Sequence, residues 1–227
     1  MMTQIIVSNL EKSYTNGKVQ TPVLRGLNFL IEQGEFVSLV GPSGSGKTTL
    51  LYVLGGLEPY QEGSVTVFDK ELNSYNAQEK AHLRSKKIGF VFQFYNLIPN
   101  LTIYENIMLA AVLGNQSSKE DIYQILDIVG LKGFENYYPS QLSGGMQQRV
   151  AIARCLINEP DIIFADEPTG NLDYANGKLI MELFLKLNKE LKKTILMVTH
   201  NEETTLYATR VIHMLDGKVV ADERKAY

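Results

Sequence analysis

The chain lacks the features of several protein classes. Its 227 residues contain no tryptophan and a single cysteine, Cys155, so an internal disulfide is excluded. Cys155 lies beside apolar Ile152 and Leu156 and is expected to be a small buried hydrophobe in a reducing compartment. No run of about 20 apolar residues occurs, which argues against a transmembrane helix. The first ten residues have no basic start, so we expect no secretory signal.

An excess of positive charge is also missing. The formal net charge is −3, from 22 Lys and Arg against 25 Asp and Glu. Sequence-independent binding to nucleic acid depends on a basic surface, so we expect no nucleic-acid partner. Because 44% of the residues are hydrophobic, the chain can bury one sizeable core or two closely associated lobes. Any role at a membrane would depend on a partner protein.

Short apolar runs of strand length predict a parallel sheet that is buried on both faces. These runs are Phe36–Val40, Ile88–Phe92, Ile162–Ala165 and Thr194–Val198. Apolar residues at helical spacing from Leu179 to Leu191 predict an amphipathic helix that covers one face of the sheet. The predicted fold class is therefore α/β.

The middle of the chain has a helical pattern instead. Apolar residues recur at i, i+3, i+4 and i+7 from Ile122 to Val129, and the sequence of Ile103–Leu113 also predicts a helix. We therefore predict a helical lobe at residues 95–158. It is inserted between residues 1–94 and 159–227, which form the core of a single domain.

Near the C-terminus, Asp216-Gly217 separates two short apolar segments. This dipeptide is typical of a tight hairpin, because the turn requires positive φ angles. We predict an antiparallel hairpin there.

A glycine-rich segment follows the first of the core runs. Gly41-Pro42-Ser43-Gly44-Ser45-Gly46-Lys47-Thr48 matches the phosphate-loop pattern GxxxxGK[ST], and a chance match in this length has a probability on the order of 1%. Backbone N–H groups and the helix N-terminus wrap the phosphates in such loops. Lys47 would meet the β- and γ-phosphates, and Thr48 would meet Mg²⁺.

Two carboxylates end the run Ile162–Ala165. Asp166 lies where ligands bind in open α/β sheets and can hold Mg²⁺ through water. Glu167 points in a different direction and can accept a proton from an attacking water. The alternative is an ordinary acidic pair at the end of a strand.

A second glycine-rich helix start occurs within the predicted lobe. In Leu142-Ser143-Gly144-Gly145, Ser143 is a plausible N-cap, and the glycines would let an anion approach the backbone. The helix that follows has an apolar seam from Met146 to Ile157. The alternative is a flexible turn before a helix. Two phosphate-binding helix ends could close around one nucleotide.

The order of the phosphate loop, Leu142-Ser143-Gly144-Gly145, Asp166-Glu167 and His200 resembles the nucleotide-binding domain of ATP-binding-cassette proteins. The resemblance covers essentially the whole chain. It implies the P-loop NTPase fold of these ATPases, with a mainly parallel core sheet, an N-terminal antiparallel β region and an inserted helical lobe. The cofactors implied are ATP and Mg²⁺.

Site residues carry over from the same resemblance. It implies that Tyr14 stacks on adenine, although an edge-strand aromatic is the alternative, and that Asn171-Leu172-Asp173 carries signals across a dimer. The implied catalytic residues are Glu167, His200, Gln93 and Lys47. The implied metal-binding residues are Thr48, Gln93 and Asp166. The implied nucleotide-binding residues are Tyr14, Gly41, Pro42, Ser43, Gly44, Ser45, Gly46, Lys47, Thr48, Thr49, Ser143, Gly144, Gly145, Gln147 and Asp173.

The family resemblance also implies partners. Two copies would pair head to tail, with Ser143 and Gly145 of one completing the site of Lys47 and Glu167 in the other. An integral membrane permease, with or without a periplasmic or extracellular adaptor, would be driven from the cytoplasmic face of the membrane. The apolar cluster Phe94, Tyr95, Leu97 and Ile98 would contact that permease or pack inside the lobe boundary.

The segments Phe92–Pro99 and Glu167–Asp173 resemble the corresponding segments of one subfamily, which serves lipoprotein release, macrolide or antimicrobial-peptide export, and cell division. Met146 departs from the glutamine that is usual in this subfamily, and His82 and His213 match no motif. Two other functions stay open. One is an ATPase that regulates a membrane complex controlling cell-wall hydrolases, and the other is a cassette ATPase of DNA repair or translation. The latter usually has coiled-coil insertions or two cassettes, and neither occurs here.

Overall fold

The fold is described from a computed structural model, which covers residues 2–17, 19–114 and 119–225. The strands are β1 Thr3–Asn16, β2 Val19–Glu32, β3 Phe36–Val40, β4 Glu62–Val67, β5 Lys70–Glu71, β6 Ile88–Val91, β7 Ile162–Asp166, β8 Thr194–Thr199, β9 Arg210–Leu215 and β10 Lys218–Arg224. The α-helices are α1 Lys47–Leu54, α2 Ala77–Lys86, α3 Ile103–Leu113, α4 Lys119–Ile128, α5 Gly144–Leu156 and α6 Tyr174–Lys189. In the described ranges, every helix is too short or too polar to cross a bilayer.

The strands form two sheets. The core sheet has the order β10-β9-β3-β8-β7-β6, and all its pairings are parallel except the β9–β10 hairpin. Asp216 and Gly217 both have positive φ in that hairpin, as predicted. The second sheet, β2-β1-β4-β5, is antiparallel. The predicted parallel core and N-terminal antiparallel region are therefore confirmed.

Strands β3, β6, β7 and β8 of the core sheet each contribute to two hydrophobic layers. In β7, Ile163 and Ala165 pack with the helices α3, α4, α5 and α6, whereas Ile162 and Phe164 pack with α1 and the antiparallel sheet. This alternation follows from the two-residue period of a strand. Helix α1 is therefore covered on both sides, which anchors the loop that precedes it.

The region predicted as a helical lobe, residues 95–158, contains α3, α4 and α5. Residues 115–118 of this region lie outside the described residues, and the division into lobes stays a prediction. Helix α3 begins with a capping box of Thr102 and Glu105. Helix α5 buries more of its surface than the apolar seam predicted from the sequence. The core sheet and helices α3, α4 and α6 all pack against it.

A buried arginine joins the two sheets. Arg210, at the start of β9, donates to both Asp222 carboxylate oxygens at 2.7 and 2.6 Å, to Glu35 Oε2 at 3.1 Å and to the Leu30 carbonyl at 2.7 Å. These hydrogen bonds lower the pKa of Asp222. Arg224 also reaches Glu35, at 3.2 Å, but lies at the surface. The two arginines therefore share a carboxylate but differ in burial.

We expect Arg210→Met to lower the free energy of unfolding by about 3–5 kcal/mol, because the Asp222 and Glu35 carboxylates lose their ion pairs with a buried guanidinium. The matched change Arg224→Met should cost no more than about 1 kcal/mol, since exposed ion pairs contribute little. Urea unfolding followed by circular dichroism measures both. Equal losses in the two variants would contradict the proposed difference between the buried and exposed arginines.

Candidate nucleotide site

The glycine-rich loop runs from the end of β3 to the start of α1. Gly46 caps α1 with a φ of +96°, a conformation that L side chains rarely adopt. A Cβ on Gly41 would lie 2.1 Å from the Met214 carbonyl oxygen, so no side chain fits there. The loop therefore depends on glycine at both ends. The first N–H groups of α1 have no partner within the helix, as anion binding at a helix start requires.

Lys47 is the first residue of α1 and is buried inside this loop. Its Nζ donates to the carbonyls of Gly41 at 2.8 Å and Pro42 at 2.9 Å. Burial lowers the pKa of Lys47, while the nearby carboxylates of Glu167 and Asp166 oppose that shift. The ammonium group thus lies in the curve of the loop, where a phosphate chain would be bound.

Asp166 ends β7 and accepts a hydrogen bond from Thr48 Oγ1 at 3.0 Å. Burial raises the pKa of Asp166, and the hydrogen bond from Thr48 opposes this effect. The two residues are 118 positions apart in the sequence. They meet because β3 and β7 end at the same edge of the sheet, on either side of β8.

Glu167 leaves the direction of β7. Its φ is +48°, a strained value for a residue with a Cβ, and its N–H donates to the Val198 carbonyl at 2.9 Å. The turn brings Glu167 Oε1 to 2.9 Å from Nδ1 of His200, which follows β8. The two neighbouring carboxylates therefore have different partners, as their proposed separate roles require.

These groups surround one open cleft of about 500 Å³. It is lined by Val23, Ser43, Gly44, Gly46, Lys47, Thr48, Thr49, Gln93, Glu167 and His200. Gly41, Pro42 and Asp166 contact lining residues, whereas the Ser45 side chain is buried beneath the loop. The cleft thus gathers the predicted phosphate, metal and proton-transfer groups from four separate parts of the chain.

Other predicted site residues lie outside this cleft. Ser143 caps α5, and its Oγ accepts from the Met146 N–H at 3.3 Å. Asp173 caps α6 and holds Asn176 with both carboxylate oxygens, at 2.8 and 2.7 Å. A Cβ on Gly145 would lie 2.4 Å from Asn176 Oδ1, so these two helix starts are in contact.

The remaining predicted nucleotide-binding residues also lie away from the cleft lining. Gly144 follows Ser143 at the start of α5, and Gln147 Nε2 donates to the Leu142 carbonyl at 3.2 Å. Tyr14 is on β1 and is 41% exposed. Several of the predicted nucleotide-binding residues therefore do not line the cleft of their own chain.

Sequence analysis missed two residues of α5 that connect this helix to the cleft. Gln148 is fully buried and donates to the carbonyls of Pro168 at 2.7 Å and Phe92 at 3.3 Å. Arg154 donates to the carbonyls of Tyr95 at 2.9 Å and Asn96 at 2.5 Å. A polar residue on the buried side of a helix was the available signal for Gln148.

Gln93 forms two hydrogen bonds with Asn171. Its Nε2 donates to Asn171 Oδ1 at 3.2 Å, and Asn171 Nδ2 donates to the Gln93 carbonyl at 3.0 Å. After Gln93 the chain turns outward, so Phe94 is 72% exposed, whereas Leu97 packs against the core. The apolar cluster of this loop is therefore divided between surface and interior.

Comparison with known proteins gives a consistent result. The family described as ABC transporter matches residues 24–170. The chain is 43% identical over 210 residues to the lipoprotein-releasing system ATP-binding protein LolD 1 of Chlorobium chlorochromatii, covering 91% of this chain and 85% of that protein. It is 43% identical over 220 residues to the macrolide export ATP-binding/permease protein MacB of Chlorobium phaeobacteroides, covering 96% of this chain and 33% of that protein.

Among solved structures, the fold matches a dimeric post-hydrolysis state of the ATP-binding cassette MJ0796 bound to ADP and phosphate. The TM-score is 0.90 at 40% sequence identity, and the match covers 98% of this chain and all of that one. The sequence matches and the structural match therefore point to the same kind of protein as the geometry of the cleft. The chain belongs to the ABC transporter family and is an ABC-type ATPase.

Proposed function

We propose that two copies of this chain close head to tail on ATP and hydrolyse it to drive a separate membrane permease. The observation that carries the proposal is the separation of Ser143 from the cleft of Lys47 and Glu167. Ser143 is exposed and does not line that cleft, so the Ser143 of a second copy would complete each site. The dimeric MJ0796 cassette supports this arrangement.

The proposed chemistry is in-line attack of water on the γ-phosphate, catalysed mainly by positioning and electrostatics. Lys47 and the loop N–H groups bind the β- and γ-phosphates. Glu167 accepts the proton of the attacking water, and His200, 2.9 Å away, holds that carboxylate in place and lies near the γ-phosphate. Gln93 orients the water, and Tyr14 stacks on the base.

The residues around Thr48 and Asp166 fit Mg²⁺. Both offer oxygen atoms, only 3.0 Å apart, and Gln93 lines the same cleft. No group of three or more His, Cys, Asp or Glu side chains in the described residues is arranged to hold a metal. That agrees with Mg²⁺, which uses one or two protein ligands together with substrate phosphates. When bound, Mg²⁺ would neutralise phosphate charge.

A surface groove next to the Gln93 loop is proposed to bind the permease. It has a volume of about 640 Å³ and lies between α2, β6, α3 and α5. Phe90 and Phe92 stack at 5.7 Å within it, while Leu113, Arg84 and Arg154 also line it. An apolar floor with basic groups suits a short amphipathic segment that carries a negative charge.

We therefore place the protein at the cytoplasmic face of the membrane, as a peripheral homodimer. The names of the relatives support export or extraction of lipoprotein, peptide or macrolide-like substrates. An adaptor on the other side of the membrane would complete the machine. Purifying the tagged protein from solubilised membranes and identifying the polytopic protein bound to it tests this assignment.

Glu167→Gln should dimerise stably with ATP. The change removes the proton acceptor, so hydrolysis should fall about 10²- to 10⁴-fold. It also removes a negative charge beside the γ-phosphate, and uncleaved ATP then remains as the bridge between Lys47 and Ser143. Size-exclusion chromatography with light scattering in low salt measures the dimer. ADP should leave the same variant monomeric, and a variant that binds ATP but stays monomeric would contradict the shared site.

Complementation tests the sharing of sites directly. Lys47→Ala removes the phosphate-binding ammonium, and Ser143→Arg blocks the α5 N-terminus, so each protein alone should be inactive. A mixture should recover partial ATPase activity, because a heterodimer contains one site with both halves intact. The heterodimer is verified by differential tagging. Verified heterodimers without activity would count against the proposal.

Leu113→Glu should abolish binding to the co-purified permease, because it introduces a charge into the apolar groove. Val112→Glu is the matched control, since Val112 is also exposed on α3 but does not line the groove. Co-purification yield and basal ATPase activity are measured for both. We expect unchanged basal activity in both variants and loss of the permease in Leu113→Glu alone. Equal binding would overturn the groove assignment.

A further inference from the structure

The proposed mechanism does not use Lys12, a buried ammonium group near the base-binding residue. Leu10, Lys12 and Tyr14 are alternate residues of β1, and Leu10 is fully buried. Lys12 is only 4% exposed. A lysine at an inward position of a strand is costly, because an ammonium group loses its hydration there. Its contacts must therefore offset that cost.

Within the part of the chain that the structure describes, two groups contact the Lys12 ammonium. Glu58 Oε2, in the segment after α1, lies 3.3 Å from Lys12 Nζ. The same Nζ lies 4.7 Å from the centroid of the Tyr14 ring, within the range of a cation–π interaction. The Glu58 side chain is 34% exposed, so solvent weakens the ion pair. The face of Tyr14 provides the second stabilising contact.

Side-chain hydrogen bonds fix strand β1 next to Lys12. Its pairing with β2 is irregular on both sides of that residue. Immediately afterwards, Ser13 forms two hydrogen bonds with the Gln61 side chain, to Oε1 at 2.9 Å and from Nε2 at 3.1 Å. Gln61 lies in the segment between α1 and β4. Lys12 and Tyr14 are therefore held against the connection that follows the phosphate-binding helix.

We propose that Lys12 is a positioning residue for nucleotide binding, which holds one face of the Tyr14 ring so that the opposite face is presented to the base. The inference rests on the proposed stacking role of Tyr14. Tyr14 is 41% exposed, and ordering an exposed ring costs conformational entropy when a base stacks on it. The contact with Lys12 restricts the ring before the nucleotide arrives.

The competing explanation is that the Lys12–Glu58 pair only ties β1 to the segment after α1. In that case its loss would affect the fold, and binding of any ligand to the cleft would weaken to the same extent. If Lys12 acts through Tyr14, loss of its charge would weaken only ligands with a base. Comparing ATP with inorganic tripolyphosphate, which lacks the base and ribose, separates the two explanations.

The experiment measures Kd for ATP and for tripolyphosphate, each with Mg²⁺, in wild type, Lys12→Met, Tyr14→Ala and the double variant. Lys12→Met should weaken ATP binding about 3- to 30-fold and leave tripolyphosphate binding unchanged. In the Tyr14→Ala background, Lys12→Met should have no further effect on ATP binding. Glu58→Gln is the matched control, because it removes the ion pair but keeps the cation over the ring. Its ATP affinity should stay within about twofold of wild type.

Several outcomes would overturn the inference. One is that Lys12→Met weakens the binding of ATP and of tripolyphosphate equally. Another is that Lys12→Met weakens ATP binding as much in the Tyr14→Ala background as in wild type. The third is that Glu58→Gln and Lys12→Met lose equal affinity for ATP. If Tyr14→Ala binds ATP as tightly as wild type, the proposed stacking role fails as well. If Tyr14→Ala lowers the affinity for ATP but Lys12→Met does not, only the role of Lys12 is overturned.

If Lys12→Met does not fold, NMR of lysine labelled with ¹³C at Cε tests the contact in the folded protein. The Lys12 signal, assigned by its loss in Lys12→Arg, should be shifted upfield by the Tyr14 ring, and Tyr14→Ala should abolish that shift. Addition of ATP should change the Lys12 signal in wild type but not in Tyr14→Ala. A Lys12 signal that does not respond to Tyr14→Ala would overturn the inference.

Discussion

The site depends on the parallel pairing of β8 with β3 on one side and with β7 on the other. This order places the carboxyl ends of three buried strands at one edge of the core sheet. The phosphate loop leaves β3, Asp166 ends β7, and His200 follows β8. Neighbouring strands lie about 4.8 Å apart, so the loop and first turn of α1 that follow β3 can reach across β8 to the end of β7. The hydrogen bond from Thr48 to Asp166 is the direct result.

Helix α5 has the second organising role. It begins at the surface with Ser143, yet its interior residues reach the loops around the cleft. Gln148 donates to the carbonyls of Phe92 and Pro168, which are next to Gln93 and Glu167 in the sequence, and Arg154 holds the turn after Gln93. These hydrogen bonds tie helix α5 to the segments next to Gln93 and Glu167.

Strongly patterned elements of the fold could be predicted from the sequence. The four buried runs are strands of the core sheet, and the apolar spacing before Leu191 marks α6. Helix α2 was not predicted, because its apolar content is low and only Leu83 is buried. Its capping box of Asn76 and Glu79 was the available signal. The helix α5 was predicted with a single seam, because periodicity along one helix does not reveal how many neighbours surround it.

The sequence by itself determined the family, the α/β fold class and the identity of the phosphate loop. Those depend on residue types at short, defined spacings, such as glycines at positive φ and a lysine at the start of a helix. Only the tertiary structure decided which of the predicted residues share one cleft, and that Ser143, Tyr14 and Asp173 lie away from its lining. It also decided that Lys12 is buried against Tyr14 and Glu58. These contacts join residues far apart in the chain, and strand order and packing, which no local pattern encodes, bring them together.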